Sequence, residues 1–446
     1  MVPGVAVAAA VGVAPAVGAP PAVNWSAPQT LSSSSQDSLS AAVALDSRGD
    51  GVVFWSGCTR PLNLGDCPGV WLNQARAYSG GSFERTRLVS RGDVVTLSVT
   101  ARDGRATAYW DPFPNFVPRE ATSTIGGRWS RPRLSRPPEG GGAQVVYNQR
   151  GQGFSVYFVT RNGAQTLIAR YKRSRTARWG PPRVVAPASE EPGFAMPVID
   201  RNGRATVVYA TELNPRSQND DASRLKASTR RGNGSYVSSF ITGPRRGVSD
   251  ASVGANARGD VVVAYRACVP SFYNPMNGEC ATRQFVQANI RPAGSLKFRS
   301  SRRIGPTNDS SDGVPQAVMN SARRAVVVYW DDNFQLRSAT ANRLGPFTLE
   351  TLAPSPTDSA LIGTAGNGNG VVAWQETDPE TNNGVIKASA FGPEGTFGSA
   401  ATVSDPSAFA SLARMALSTS GRALMIWQGP GEGGTSVVRA STATVS

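Results

Sequence analysis

Histidine is absent from all 446 residues. That absence excludes a Ser-His-Asp triad, a Cys-His pair and any histidine-ligated metal. Cysteine is scarce too, at four residues, and the spacings Cys58 to Cys67 and Cys268 to Cys280 are too wide for the C-x2–4-C arm of a structural zinc site. Neither a metal nor a cofactor is therefore expected. Lysine is confined to Lys172, Lys226, Lys297 and Lys387, so arginine supplies 42 of the 46 basic residues; against 31 acidic residues the formal charge is +15. The most apolar stretch, residues 1–23, is interrupted by Pro3, Pro15, Pro20 and Pro21, which argues against an integral membrane anchor. The helical period of about 3.6 residues is nowhere sustained.

What the chain does have is a repeat. Pro197 to Tyr209 reads P-V-I-D-R-N-G-R-A-T-V-V-Y: an apolar run, an Asp-x-x-Gly turn, then an alternating run ending on an aromatic. The turn residue recurs as Gly49, Gly104, Gly151, Gly203, Gly259, Arg323, Gly368 and Gly421, at spacings of 45 to 64 residues. Periods of that length mean propellers or solenoids. Six residues beyond each anchor stands an aromatic: Trp55, Trp110, Tyr157, Tyr209, Tyr265, Tyr329, Trp374 and Trp427. Three residues before it stand Asp46, Asn148, Asp200, Asn256, Asn320 and Ser418, with Ala101 and Ala365 as exceptions. Such caps fold onto nearby backbone N–H groups, and Gly accepts positive φ, so each unit opens with a tight hairpin. A third strand carrying one Ala follows (Ala75, Ala121, Ala169, Ala227, Ala288, Ala339, Ala388, Ala440), and then a fourth. Each unit is thus four short strands, A to D.

The eighth unit stops after its third strand, and Asn24 to Ser32 matches the D-strand segment Arg128 to Ser135 of unit 2. The N-terminal strand can therefore complete the last unit. The expected fold is all-β: a single eight-bladed β-propeller over residues 24–446, closed by the N-terminal strand joining the last blade, so that only short, protected edges remain. Strand Trp25 to Leu31 should pair with Val437 to Ala443. Blades 1 and 5 share both cysteine registers, and blades 2 and 6 both carry Tyr-Trp-Asp followed by Asn-Phe, which suggests duplication of a four-blade half.

Residues 1–23 read as the apolar part of a secretory signal, with small-residue cleavage options such as Ala14-Pro15-Ala16; a disordered tail is the alternative. The paired cysteine registers point to Cys58–Cys67 and Cys268–Cys280, each clipping one B–C loop, and disulfides persist in oxidising compartments. A secreted monomer is expected. The arginines gather around C–D turns and D strands of blades 2 to 5 (Arg128 to Arg136, Arg170 to Arg183, Arg230-Arg231, Arg299 to Arg303), a basic rim that could hold an anionic cell-envelope polymer. No nucleic-acid-binding motif is present, so nucleic acid is not expected. Three Arg-Gly-Asp triplets, beginning at Arg48, Arg91 and Arg258, read as turn composition.

In a ring closed this way, B–C and D–A loops share one face. The B–C segments carry Trp110, Asp111, Phe113 and Phe116; Phe272 and Tyr273; Trp330, Asp331, Asp332 and Phe334; and Trp374 with Glu376. Aromatic stacking faces beside acceptors suit a glycan, and varied loops on a rigid scaffold are where binding resides. The primary expectation is an exported, non-catalytic binding protein for a glycan or protein partner. The competing expectation is a sialidase-like glycoside hydrolase or lyase using Asp111, Glu212, Asp331, Asp332 or Glu376 as its carboxylates. The Asp-box of sialidases, S-x-D-x-G-x-T-W, places its aromatic three residues after Gly rather than six, so those boxes do not match. The unit D-x-x-G-x-A-x-V-x-W with its partner G-x-W-S-x-P-x-x-L-S resembles the repeats of uncharacterised exported β-propeller proteins of high-GC bacteria, across residues 24 to 446. The resemblance implies the architecture and secretion, and carries no active residues with it.

Overall fold

The computed structural model describes residues 21 and 23–445, apart from 63–66, 93, 113–116, 137–141, 175, 212–223, 244–247, 269–283, 308–313, 343–344 and 379. The strands form eight four-stranded antiparallel blades in a ring, an eight-bladed β-propeller. Blade 4 shows the pattern: Pro192–Ile199, Ala205–Thr211, Arg224–Arg230 and Tyr236–Phe240 pair in sequence order. Blades 6 and 7 share one long strand, Phe347–Thr364, whose first part is D of blade 6 and whose second part is A of blade 7.

Closure follows the expected route. Gln29–Thr30 pairs with Ser436–Thr444, Gln29 opposite Ala440 and Thr30 opposite Arg439. The Ser26 and Leu31 amides extend the ladder by donating to the Thr442 and Val438 carbonyls, each at 2.8 Å. Leu31 is buried there with Val53, Trp55, Leu424 and Ile426.

The turn chemistry explains why the repeat is so regular. All eight anchor residues have positive φ, from +70° at Arg323 to +97° at Gly259. The cap at Asp200 is typical: one carboxylate oxygen accepts the Asn202 and Arg204 amides, both at 2.8 Å. Asp46, Asn148, Asn256, Asn320 and Ser418 accept backbone amides in the same way. Blade 2 lacks the cap because its hairpin is shorter: Arg102 pairs directly with Arg105 across Asp103-Gly104, both at positive φ. Asp-Gly at two positive-φ positions is the tight two-residue hairpin whose twist matches paired strands. Arg323 departs from Gly for a different reason. Its guanidinium reaches back to blade 5 and grips Asp260 with two bonds, Nε to Oδ2 at 2.8 Å and Nη2 to Oδ1 at 2.7 Å. Asp260 belongs to one of the Arg-Gly-Asp triplets and is buried, which accords with a structural role for that triplet.

The caps also stitch neighbouring blades together. Thr419 Oγ1 donates to the Ser47 carbonyl, the Gly104 amide to Asp46 Oδ2, and Asn148 Nδ2 to the Asp200 carbonyl. The Arg201 amide bonds the Ala257 carbonyl, Asn256 bonds that of Asn320, Asn320 bonds that of Gly368, and the Gly366 amide bonds that of Thr419.

The core lies between blades, not within them. Strand B of each blade is sandwiched, so alternate residues face opposite neighbours. In blade 1, Val52 and Phe54 pack on blade 2, whereas Val53 and Trp55 pack on blade 8. Apolar cores of this kind fill the 1/2, 3/4, 4/5, 5/6, 6/7, 7/8 and 8/1 interfaces. Among the described residues, no such core fills the interface between blades 2 and 3.

A candidate binding site in the seam between blades 2 and 3

The exception begins in strand B of blade 2, Arg105–Pro112, R-A-T-A-Y-W-D-P. Its apolar residues Ala106, Ala108 and Trp110 all face blade 1. Strand alternation sends Arg105, Thr107, Tyr109 and Asp111 the other way, toward blade 3. Blade 3 answers with Gly153, Ser155 and Tyr157 on its own strand B, Gly153–Arg161, while its Phe154 and Val156 face blade 4. Two polar surfaces cannot close by the hydrophobic effect, and a cavity of about 1450 Å³ occupies the seam and the adjoining channel wall. Thr107, Tyr109, Asp111, Gln144, Tyr147 and Lys172 are among its lining residues. One end is bridged by a stack: the Arg102 guanidinium lies 4.2 Å from the Tyr147 ring, Tyr147 sits 6.2 Å from Trp179, and Lys172 Nζ approaches Trp179 at 5.9 Å. Arg102 also pairs with Asp103 at 3.1 Å.

The residues expected to form a loop-face site are distributed otherwise. Trp110 and Asp111 both line the seam cavity, but Trp110 is only 4% exposed and packs its ring against Phe54 of blade 1 at 6.1 Å. Trp330 and Trp374 meet in the core between blades 6 and 7, at 3% and 1% exposure. Their indole N–H groups are held by Thr357 Oγ1 at 2.6 Å and Glu376 Oε2 at 3.1 Å. These faces are enclosed by protein and do not present themselves for stacking on a sugar. Asp331 caps a tight turn, its carboxylate taking the Asn333 and Gln335 amides at 2.9 and 3.0 Å, with Arg337 at 3.8 Å. Asp332 is exposed in that turn, and Phe334, at φ +60°, is exposed at its end. Glu376 is buried and ion-paired to Lys387. Phe113, Phe116, Glu212, Phe272 and Tyr273 lie outside the described residues.

One expectation about the B–C loops is corrected here. Long, decorated loops do not occur in every blade. In blade 3 the connection is the two-residue turn Asn162-Gly163, and in blade 6 it is the Asp331 turn just described. The Cys58–Cys67 disulfide is present, closing its B–C loop. Cys268 is disulfide-bonded, and its expected partner Cys280 lies outside the described residues.

Among the other polar clusters, Tyr209, Glu190 and Lys226 of blade 4 form a knot, Tyr209 Oη at 3.3 Å and Lys226 Nζ at 2.8 Å from the same Glu190 oxygen. Burial, and then the neighbouring Glu190 charge, push the Tyr209 phenol well above its ordinary value. Burial likewise pushes Tyr329 up to about 12. Neither phenol is poised to act as a base near neutral pH. Among the described residues there is no cluster of three or more Cys, Asp or Glu suited to a metal ion.

No protein-family model matches the sequence, and no curated protein matches it. Solved structures are similar in fold. The polysaccharide lyase Uly1 aligns at 9% identity and a TM-score of 0.49, over 77% of this chain and 88% of that one. A protein of unknown function from Dyadobacter fermentans aligns at 11% and 0.41, over 95% and 99%. The β-propeller domain of the Trilobed protease from Pyrococcus furiosus aligns at 7% and 0.44, over 83% and 98%. The class these features define is the eight-bladed β-propeller; at such identities and scores the likeness carries no functional argument.

Proposed function

We propose that this propeller is an exported, non-catalytic binding protein and that its ligand is a glycan held in the seam between blades 2 and 3. One observation carries the reading: the blade interface that lacks an apolar core opens onto a cavity of about 1450 Å³ shared with the channel wall, and phenols, amides and hydroxyls are in its lining. Ligand sites combine concavity with a few placed polar groups, and sugars bind through stacking rings and hydrogen bonds. The Cys58–Cys67 bond supports an oxidising destination. A second reading has its own support. Asp111 and Tyr109 line one cavity, two residues apart on the same face of strand B, and an acid beside a phenol is the kind of pair a glycoside hydrolase or lyase would use.

A glycan and polysaccharide array with a turnover readout separates them. Retained, unconverted ligand that is lost in Tyr109→Ala supports the binder. Turnover abolished by Asp111→Asn, in a variant that still binds, establishes the enzyme instead. Binding that survives Tyr109→Ala and Thr107→Val together would place the ligand elsewhere.

A further inference from the structure

Charge is distributed unevenly around the ring. Residues 94–186, which build blades 2 and 3, contain fifteen Arg or Lys against four Asp or Glu, a net of +11 out of the chain's +15. Residues 357–446, which build blade 7 and three strands of blade 8, contain four basic against seven acidic residues, a net of −3. Two mundane causes of arginine richness fail on this asymmetry. A compositional bias toward arginine would act on every blade alike. Protection of exposed strand edges by cations would also be needed on every blade. Yet the D strands Ala401–Thr402, Gln29–Thr30 and Tyr236–Phe240 carry no charge, whereas Arg133–Leu134 and Arg183–Ala186 do, as do Arg87–Arg91 of blade 1 and Arg302–Thr307 of blade 5.

The cations on blades 2 and 3 are largely uncompensated. Arg133 pairs with Glu120 at 2.7 Å and Arg102 with Asp103. Among the described residues, Arg128, Arg131, Arg136, Arg178 and Arg183 are exposed and have no carboxylate partner. Concentrated like charge opposes folding by self-repulsion and attracts counter-ions. Between these cations stand exposed apolar side chains, Leu134 at 44% and Val184 at 58%. Cations alternating with small apolar patches along adjacent edges suit a polymer with anionic groups on rings that have apolar faces.

We infer that the outer edges of blades 2 and 3 form a docking surface for an acidic polysaccharide, one bearing carboxylate or sulfate groups. This surface does not depend on the seam being a ligand site. Of the aromatic rings beside it, Trp129 packs on the core between blades 1 and 2, and Tyr147 and Trp179 pack on each other and on cations, so they offer no open platform for nucleobases.

The test compares two fourfold charge reversals of equal net charge in the full chain, titrated with labelled polygalacturonate at rising salt. One carries Arg131→Glu, Arg136→Glu, Arg178→Glu and Arg183→Glu. The other carries Arg60→Glu, Arg201→Glu, Arg231→Glu and Arg258→Glu, exposed positions on blades 1, 4 and 5. Thermal melts confirm that both fold. The first set should weaken binding by on the order of a hundredfold at low salt and flatten the salt dependence, whereas the second should leave most of both intact. Equal losses in the two sets would reduce the effect to global charge and overturn the inference. Neutral dextran bound as tightly as polygalacturonate, or duplex DNA bound more tightly, would overturn it as well. Tyr109→Ala should not alter polygalacturonate binding, which keeps this surface distinct from the seam.

Discussion

Arg323→Gly restores the residue that seven of the eight hairpins use, and it should nevertheless destabilise the protein. Arg323 sits at φ +70°, where a side chain costs about 1 kcal/mol that Gly does not. Against that relief stands Asp260, whose side chain is 1% exposed and whose main counter-charge is Arg323, itself 22% exposed. Removing one partner of a buried pair costs about 3–5 kcal/mol. Here the lower end applies, because the Ala293 amide at 2.8 Å and Asn256 Nδ2 at 3.2 Å still serve the carboxylate. The net expectation is a loss of about 1–2 kcal/mol at neutral pH. In a chain this long that is a small shift in Tm, so urea denaturation is the better assay. The pH dependence gives a second check. Burial alone would raise the Asp260 pKa, but the bonds from Arg323, Ala293 and Asn256 outweigh it and hold the carboxyl below its usual range. A depressed folded value means the contribution is full above the unfolded carboxylate value of about 4 and is lost as pH falls through the folded one. The gap between wild type and Arg323→Gly should therefore close in acid. A variant as stable as wild type at neutral pH, or a gap that persists into acid, would refute the reasoning.

Two further outcomes follow from the packing. Deleting residues 1–32 strips blade 8 of its outer strand and bares Val438 and Ala440, so a large fall in the thermal midpoint is expected; a melt like that of the full chain would mean closure contributes little. Trp330→Ala should cost about 3–5 kcal/mol in denaturant titrations, as for any large core truncation, and a fully stable variant defective only in ligand binding would return Trp330 to the site.

The architecture was legible because the residues that mark the period are those the backbone geometry demands. Positive φ at the anchor requires Gly or an argued exception, and the cap three residues earlier closes its own turn. The match between Asn24–Ser32 and Arg128–Ser135 predicted closure for the same reason, since a D strand must complete each blade. The site was less legible. Trp330 and Trp374 look like binding aromatics in sequence because they lie near loop junctions. Strand B of blades 6 and 7, however, is covered on both faces by packed neighbours, so an aromatic there is core in either phase. Asp331 looked like a catalytic acid, whereas its two accepted amides make it a turn cap of the Asp200 kind. The seam did leave a trace. Strand B of blade 4 reads A-T-V-V-Y-A-T and that of blade 5 V-V-V-A-Y-R-A-C, whereas blade 2 places Arg, Thr, Tyr and Asp at every second position.

The 2/3 interface is held differently from the others. Among the described residues it lacks an apolar core, and Arg102 of blade 2 stacks on Tyr147 of blade 3. A ring can tolerate one such seam because every blade still has a fully packed neighbour on its other side: blade 2 on blade 1 and blade 3 on blade 4. Local opening then needs only the seam to part, without exposing an apolar face, and regions with few buried apolar contacts open first. Native-state hydrogen exchange should therefore show less protection in Val94–Arg102 and Gln144–Tyr147 than in Pro192–Ile199 and Val248–Ala255. Arg102→Ala removes a cation–π contact worth about 0.5–2 kcal/mol. It should speed exchange in those two seam strands while leaving blades 5 to 8 unchanged. Seam strands protected as strongly as the 4/5 interface, or an Arg102→Ala effect spread evenly around the ring, would show that the seam is as tightly held as the apolar interfaces and that ligand entry does not run through it.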